Sequence, residues 1–199
     1  MREVFGLILA GGEGSRLGGV RKADLRIGGV PLLERVARAI APDVSELLIA
    51  SGQDDTLGSY TCIRDESTTR LGPLAGIRTA VRYLEMRAEP EDVLVSVAVD
   101  TPFLPRNYVA RLKHAVAEAG AAYAAWGENI YPTNSAWRLN ALRDALEDAG
   151  ESDGPKAILR KLGATPVDWT AESTIDPFSN INRLDDLIAL QRRALHGDR

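Results

Sequence analysis

Cysteine is nearly absent from this chain of 199 residues, with Cys62 the single one. No internal disulfide can form, and a zinc site built from cysteines is excluded. Histidine is almost as scarce. His114 and His196 are the only 2, too few and too scattered for a zinc constellation or a nucleophilic triad. Positive charge is not in excess either. The 24 Lys and Arg against 28 Asp and Glu leave a formal net charge of -4, so the basic face of a nucleic-acid-binding protein is missing. No apolar run approaches the ~18 residues that cross a bilayer. The stretch Met1-Arg2-Glu3-Val4-Phe5 reaches an acidic residue at once and reads as a first strand, not a signal peptide. The expected compartment is the cytoplasm, with neither nucleic acid nor membrane as a partner.

What remains is ordinary globular material, 45% hydrophobic and 26% charged, enough for one well-buried core. Short apolar runs alternate with amphipathic stretches, which predicts an α/β fold: a three-layer α/β/α sandwich around a mostly parallel, Rossmann-like sheet. Val4 to Ala10, Glu46 to Ser51 and residues 91 to 99 read as strands buried on both faces. Shorter strands are expected at Leu25 to Ile27, Cys62 to Arg64, Ala121 to Trp126 and Thr165 to Trp169. Helices are expected from Pro31 to Ile40, from Pro73 through Leu84, from Pro105 to Ala119, from Leu139 to Ala149, from Lys156 to Leu162 and from Leu184 to His196. No repeat or linker interrupts this rhythm, so residues 1 to 199 are read as a single domain.

The segment after the first strand, Leu9-Ala10-Gly11-Gly12-Glu13-Gly14-Ser15-Arg16-Leu17-Gly18-Gly19-Val20-Arg21-Lys22, is rich in glycine and cations. Glycine lets backbone N–H groups wrap an anion without interference from Cβ, and Arg16, Arg21 and Lys22 add full charges. The spacing is not that of a P-loop, because two residues separate Gly19 from Lys22 and Ala23 follows the lysine. Nor is it a dinucleotide fingerprint, since Leu17 stands where the third glycine belongs. A phosphate-binding loop of another kind is the favoured reading over a plain surface turn.

Asp100 ends the most apolar strand, where open parallel sheets bind ligands. A carboxylate there suits Mg²⁺, which takes one or two carboxylates together with phosphate oxygens. Asp100-Thr101-Pro102 serves equally as a turn capping the next helix, and the residues alone leave both readings open. Asp65 reads first as a surface carboxylate, and Asn180 and Asn182 as turn formers.

Leu9-Ala10-Gly11-Gly12, Arg16-Leu17-Gly18-Gly19, Lys22, Gly72-Pro73-Leu74-Ala75-Gly76, Asp100-Thr101-Pro102, Pro132-Thr133 and Asn180-Ile181-Asn182 follow one another in this order. Together they resemble the molybdenum cofactor guanylyltransferases, the MobA family, over nearly the whole chain. Sugar-nucleotide and cytidylyltransferases share the first loop and the strand-end Asp but match the Gly-Pro-Leu-Ala-Gly turn less well.

The resemblance implies transfer of GMP from GTP to the terminal phosphate of molybdopterin, with Mg²⁺ as cofactor. It also implies transient contacts with cofactor-delivery or molybdoenzyme-maturation proteins. Leu9, Ala10, Gly11 and Gly12 would contact guanine and ribose, Lys22 the α- and β-phosphates, Asp65 the nucleoside end and Asp100 the Mg²⁺. Asn180 and Asn182 would lie towards the pterin. The chain differs from the family pattern at Ala50-Ser51, where an Asn is common, and at Arg21, where an Asp is common. The late segment Glu151-Ser152-Asp153-Gly154-Pro155-Lys156 lacks the arginine-rich form usual there. Lys156, Arg160 and Lys161 are the substitutes on offer as pterin-phosphate ligands, and a solvated helix face accounts for them at least as well. The alternatives are a nucleotidyltransferase with CTP or with a sugar-phosphate or polyol-phosphate acceptor, and a GTP-binding module without catalysis.

Overall fold

A computed structural model describes residues 2–11, 13–14, 19–51, 60–64, 72–150 and 152–196. Seven strands form one sheet: β1 (Val4–Leu9), β2 (Glu46–Ala50), β3 (Thr61–Ile63), β4 (Val93–Ala98), β5 (Ala121–Trp126), β6 (Asn129–Arg138) and β7 (Thr165–Asp168), in the spatial order β7-β5-β6-β4-β1-β2-β3. The pairs β1–β2, β1–β4, β2–β3 and β5–β7 are parallel, while β6 is antiparallel to both its neighbours.

The strands carry the alternation that lets one sheet bury both faces. In β1, Val4 and Ile8 point into one apolar cluster and Phe5 and Leu7 into the other. The first face is covered by α1 (Leu32–Ile40), α3 (Tyr108–Ala119) and α6 (Leu184–His196), the second by α2 (Pro73–Leu84), α4 (Leu139–Glu147) and α5 (Pro155–Lys161). The result is the three-layer α/β/α arrangement with a mostly parallel sheet.

Three local readings are corrected. β6 was not among the expected strands. Pro132 cannot donate to a ladder, and the Asn, Ser and Thr around it hide the run; the strand tolerates them by shifting register against β5 between Tyr131 and Ser135. Pro31 does not occupy the first turn of α1. It is the residue before the helix, in extended conformation, and pairs with Arg26 in a short antiparallel ribbon. The helix expected from Pro105 begins at Tyr108 instead, because Pro105 to Asn107 form a turn closed by Tyr108 N–H donating to Pro105 O at 3.0 Å.

An aromatic stack ties the chain after β7 to the first face. Tyr108 stacks on Trp169 at 6.1 Å between ring centroids, Trp169 meets Phe178 edge-on at 5.0 Å, and Phe178 meets Tyr131 at 5.1 Å. Trp169, Phe178 and Ile181 are fully buried. Burying aromatic rings of this size dominates local energetics, so the segment leading to Asn180 and Asn182 is anchored although it has no helix or strand.

Candidate functional site

Because β1 to β4 run parallel, their carboxyl ends share one edge of the sheet, and the site is assembled there. At the end of β1, Ala10 N–H donates to Ala50 O at 2.8 Å, and Val99 N–H donates to Leu9 O at 3.2 Å. The first loop therefore leaves the sheet between β2 and β4. Leu9 is half-buried, Ala10 buried and Gly11 exposed. Beyond it, Glu13–Gly14 pairs antiparallel with Val20–Arg21, and Lys22–Asp24 form a tight turn seated on buried Ala23. Gly12, Arg16 and Asp65 lie outside the described residues.

That turn aims Lys22 at the end of β4. Lys22 Nζ donates to Asp100 Oδ2 at 2.6 Å and to Asn182 Oδ1 at 3.2 Å. The two side chains of the ion pair are only 17% and 12% exposed, so water screens them less than a surface pair. Arg21 is turned to Asp24, with its Nε 2.8 Å from Asp24 Oδ2. Lys22 thus reaches the strand ends.

Asp100 does not cap α3, whose cap position is Asn107. The Asp-Thr-Pro turn is real, but its own bonds come from Thr101, whose N–H and Oγ1 both donate to Ala98 O, at 3.3 and 2.7 Å. That leaves the Asp100 carboxylate to face Lys22.

Asn180 and Asn182 arrive from the far end of the chain. Ile181 between them is buried, while Asn180 and Asn182 are exposed. Asn182 Nδ2 donates to Asn180 Oδ1 at 3.1 Å. Asp186, in the first turn of α6, accepts the backbone N–H groups of Asn182 and Arg183 at 2.9 and 2.8 Å. An acidic residue is favoured there by the helix dipole, and it holds Asn182 in place. Asp186 was not singled out from sequence; Asp three residues after Arg183, just ahead of an apolar run, is its only signal.

The Gly72-Pro73-Leu74-Ala75-Gly76 turn opens α2, with Gly72 at φ 69 and Pro73 in the first turn. A Cβ on Gly76 would lie 2.8 Å from Ala50 Cβ and 2.9 Å from Leu9 Cδ2. Glycine is needed because the helix N-terminus sits directly on the ends of β1 and β2. That brings the positive end of the α2 dipole, which favours anions, to the edge where the first loop begins. By contrast Lys161 is turned to Asp148 at 2.7 Å and to Ala145 O at 3.3 Å, joining α5 to α4.

Among the described residues no three His, Cys, Asp or Glu side chains gather as a metal cage. The donor set is instead one carboxylate at a strand end with Lys22 on a single oxygen, which fits a divalent cation that brings phosphate oxygens with it. The arrangement as a whole offers two cationic or N–H-rich elements and one carboxylate to a polyphosphate.

A family model described as MobA-like NTP transferase domain matches residues 6–166. The chain belongs to the MobA-like nucleotidyltransferase family. A molybdenum cofactor guanylyltransferase of Cereibacter sphaeroides is 37% identical over 190 residues, covering 92% of this chain and 93% of that relative. Another from Rhodobacter capsulatus is 37% identical over 198 residues, covering 96% of each chain. The solved structure of molybdopterin-guanine dinucleotide biosynthesis protein A from Archaeoglobus fulgidus superposes with a TM-score of 0.76 at 21% identity, covering 97% of this chain and 100% of that one. The fold extends to 2-C-methyl-D-erythritol 4-phosphate cytidylyltransferase from Thermus thermophilus, with a TM-score of 0.66 at 22% identity and coverage of 98% and 100%. Membership of the MobA-like family makes this chain an NTP-using transferase and is consistent with a divalent metal requirement. No described helix is long and apolar enough to cross a membrane.

Proposed function

We propose that this MobA-like protein transfers GMP from GTP to the terminal phosphate of molybdopterin, releasing pyrophosphate and forming the guanine dinucleotide of the cofactor. The observation that carries the reading is the convergence of Lys22, Asp100 and Asn182 at the carboxyl ends of β1 and β4. Similarity to molybdenum cofactor guanylyltransferases over nearly the full chain supports the choice of donor and acceptor.

In this reading the triphosphate lies over the first loop and the N-terminus of α2, with Leu9, Ala10, Gly11 and Gly12 on guanine and ribose. Asp65 takes the nucleoside end. Lys22 carries three rotatable donors on a flexible stem, so it keeps one on Asp100 and turns another to the phosphates. Asp100 is the residue that would hold a divalent cation, here Mg²⁺, which would supply charge neutralisation to the triphosphate. The pterin phosphate, oriented from the side of Asn180 and Asn182, attacks the α-phosphorus in line. The α–β bond breaks and pyrophosphate leaves. Positioning and charge stabilisation suffice, so no protein nucleophile is required.

The reading carries a cytoplasmic location and transient contacts with proteins that deliver or receive the cofactor. Its test is product identity. Protein, Mg²⁺, molybdopterin and each NTP in turn are incubated, and the product is identified by mass. A pterin guanine dinucleotide supports the reading; a cytidylyl product, or none from any NTP, refutes it.

A further inference from the structure

The turn after β4 that carries Asp100 is bridged by the side chain of Asn134. Asn134 is fully buried, 0% exposed, in β6 beside the last residues of β4. The regular β4–β6 register runs from Arg138↔Val93 to Ser135↔Ser96. Beyond that point Pro132 has no N–H to give, and β6 shifts register against β5. Asn134 takes over with its side chain. Its Oδ1 accepts the backbone N–H of Ala98 at 2.9 Å, and its Nδ2 reaches Thr101 Oγ1 at 3.4 Å. Thr101 Oγ1 in turn donates to Ala98 O at 2.7 Å. A single amide thus clamps both sides of the turn whose middle carries Asp100, two residues after Ala98 and one before Thr101.

A buried amide is costly unless satisfied, so an apolar side chain would be the simpler filling for this place. The amide instead closes a ring of hydrogen bonds around one turn. Neighbouring polar groups do something different. Ser96 Oγ donates to Thr133 O at 3.0 Å and accepts from Trp137 Nε1 at 3.1 Å, and Ser135 Oγ donates to Pro132 O at 3.0 Å. Those bonds hold β6 and do not reach the Asp100 turn.

We propose that Asn134 is a positioning residue that sets the direction of the Asp100 carboxylate and thereby the affinity for metal–nucleotide. The proposal rests on the reading of Asp100 as the residue that holds the divalent cation. Thr101 belongs to the same device, because its hydroxyl is the second fixed point of the clamp. Outer partners that orient a metal ligand typically change metal affinity or activity by about 10- to 100-fold when removed.

The test compares Asn134→Leu, Thr101→Val and Ser135→Ala with the wild type. Affinity for Mn²⁺–GTP is measured from the relaxation enhancement of water protons, without molybdopterin and so without turnover. Affinity for GTP in excess chelator and the thermal midpoint are measured alongside. Asn134→Leu and Thr101→Val should weaken Mn²⁺–GTP binding by roughly 10-fold or more while metal-free GTP binding changes little. Ser135→Ala should keep wild-type Mn²⁺–GTP binding even if its midpoint falls. Should Asn134→Leu fail to fold, Thr101→Val carries the same expectation through the other end of the clamp. Equal losses of Mn²⁺–GTP and metal-free GTP affinity, or an unchanged preference for the metal complex in the clamp variants, would overturn the proposal. A wild type that binds Mn²⁺–GTP yet transfers nothing to molybdopterin would refute the function proposed above and leave this comparison intact.

Discussion

Lys22 and Asp100 stand 78 positions apart in the chain, yet their charged groups meet at 2.6 Å. The pair is mostly shielded and lies where β1 and β4 end side by side. Removing one charge therefore leaves the other poorly compensated, which separates the roles of the two residues in experiment.

Asp100→Asn keeps the size of the side chain and removes its charge. Turnover should fall to background at ordinary Mg²⁺, because the amide no longer attracts the cation. The fold should persist, since Asn still accepts from Lys22. Pyrophosphate release at the wild-type rate in this variant would contradict the assignment of Asp100.

Lys22→Ala should lower kcat by about 100-fold or more with a smaller change in GTP affinity, if the ammonium acts mainly on charge developing in the transition state. Lys22→Arg should not restore the rate, because the planar guanidinium cannot replace a compact point charge between Asp100 and Asn182. Steady-state kinetics beside direct GTP binding decides the matter. An alanine variant with full kcat and only weakened binding would make Lys22 a ground-state clamp.

Gly76→Ala should cost roughly 1–3 kcal/mol of stability by overpacking, since the added methyl would stand 2.8 Å from Ala50 Cβ and 2.9 Å from Leu9 Cδ2. Relief requires α2 to move off the ends of β1 and β2, so GTP binding should weaken as well. Urea unfolding and GTP titration of the same sample test this. A variant as stable as the wild type would show that the contact relaxes freely.

Tyr131 hydrogen-bonds Asp176, and partial burial followed by that carboxylate pushes its phenol well above the ordinary value near 10. A raised folded-state value means the folded form holds the proton longer. The stabilisation is complete below about pH 10 and is lost as pH rises further. Tyr131→Phe should lower stability at neutral pH and flatten its decline above about pH 10. Parallel unfolding curves of the two proteins across the alkaline range would refute the role given to this bond.

The sequence disclosed the parts whose physics is local. β1 and β4 are continuous apolar runs, and α2 opens on a proline and repeats its apolar residues at helical spacing. β6 stayed hidden because Pro132 and its polar neighbours contradict the pattern of a central strand, and only the shift in register makes them fit. In the site, Lys22, Asp100, Asn180 and Asn182 were named from sequence, but single residues could not say that they meet. The ordered motifs supplied that grouping. Asn134 and Asp186 were not found, because a buried amide and a first-turn acid look like ordinary strand and helix residues until their partners are known. Why Gly76 must be glycine is likewise visible only from the strand ends beneath it.

The central claim is that this site transfers guanylate to molybdopterin, and initial pyrophosphate release with GTP, ATP and CTP in parallel tests it most directly. Guanine offers N1–H and N2–H₂ donors and an O6 acceptor, whereas adenine reverses the pattern at the six-position and lacks the two-amino group. Each buried partner left unpaired costs roughly 1–3 kcal/mol, so two mismatches give about a hundredfold discrimination. The expected result is release that requires molybdopterin and a divalent metal together, with kcat/KM for GTP at least ~100-fold above that for ATP and clearly above that for CTP. A kcat/KM for CTP equal to or above that for GTP, or release indifferent to molybdopterin, would contradict it.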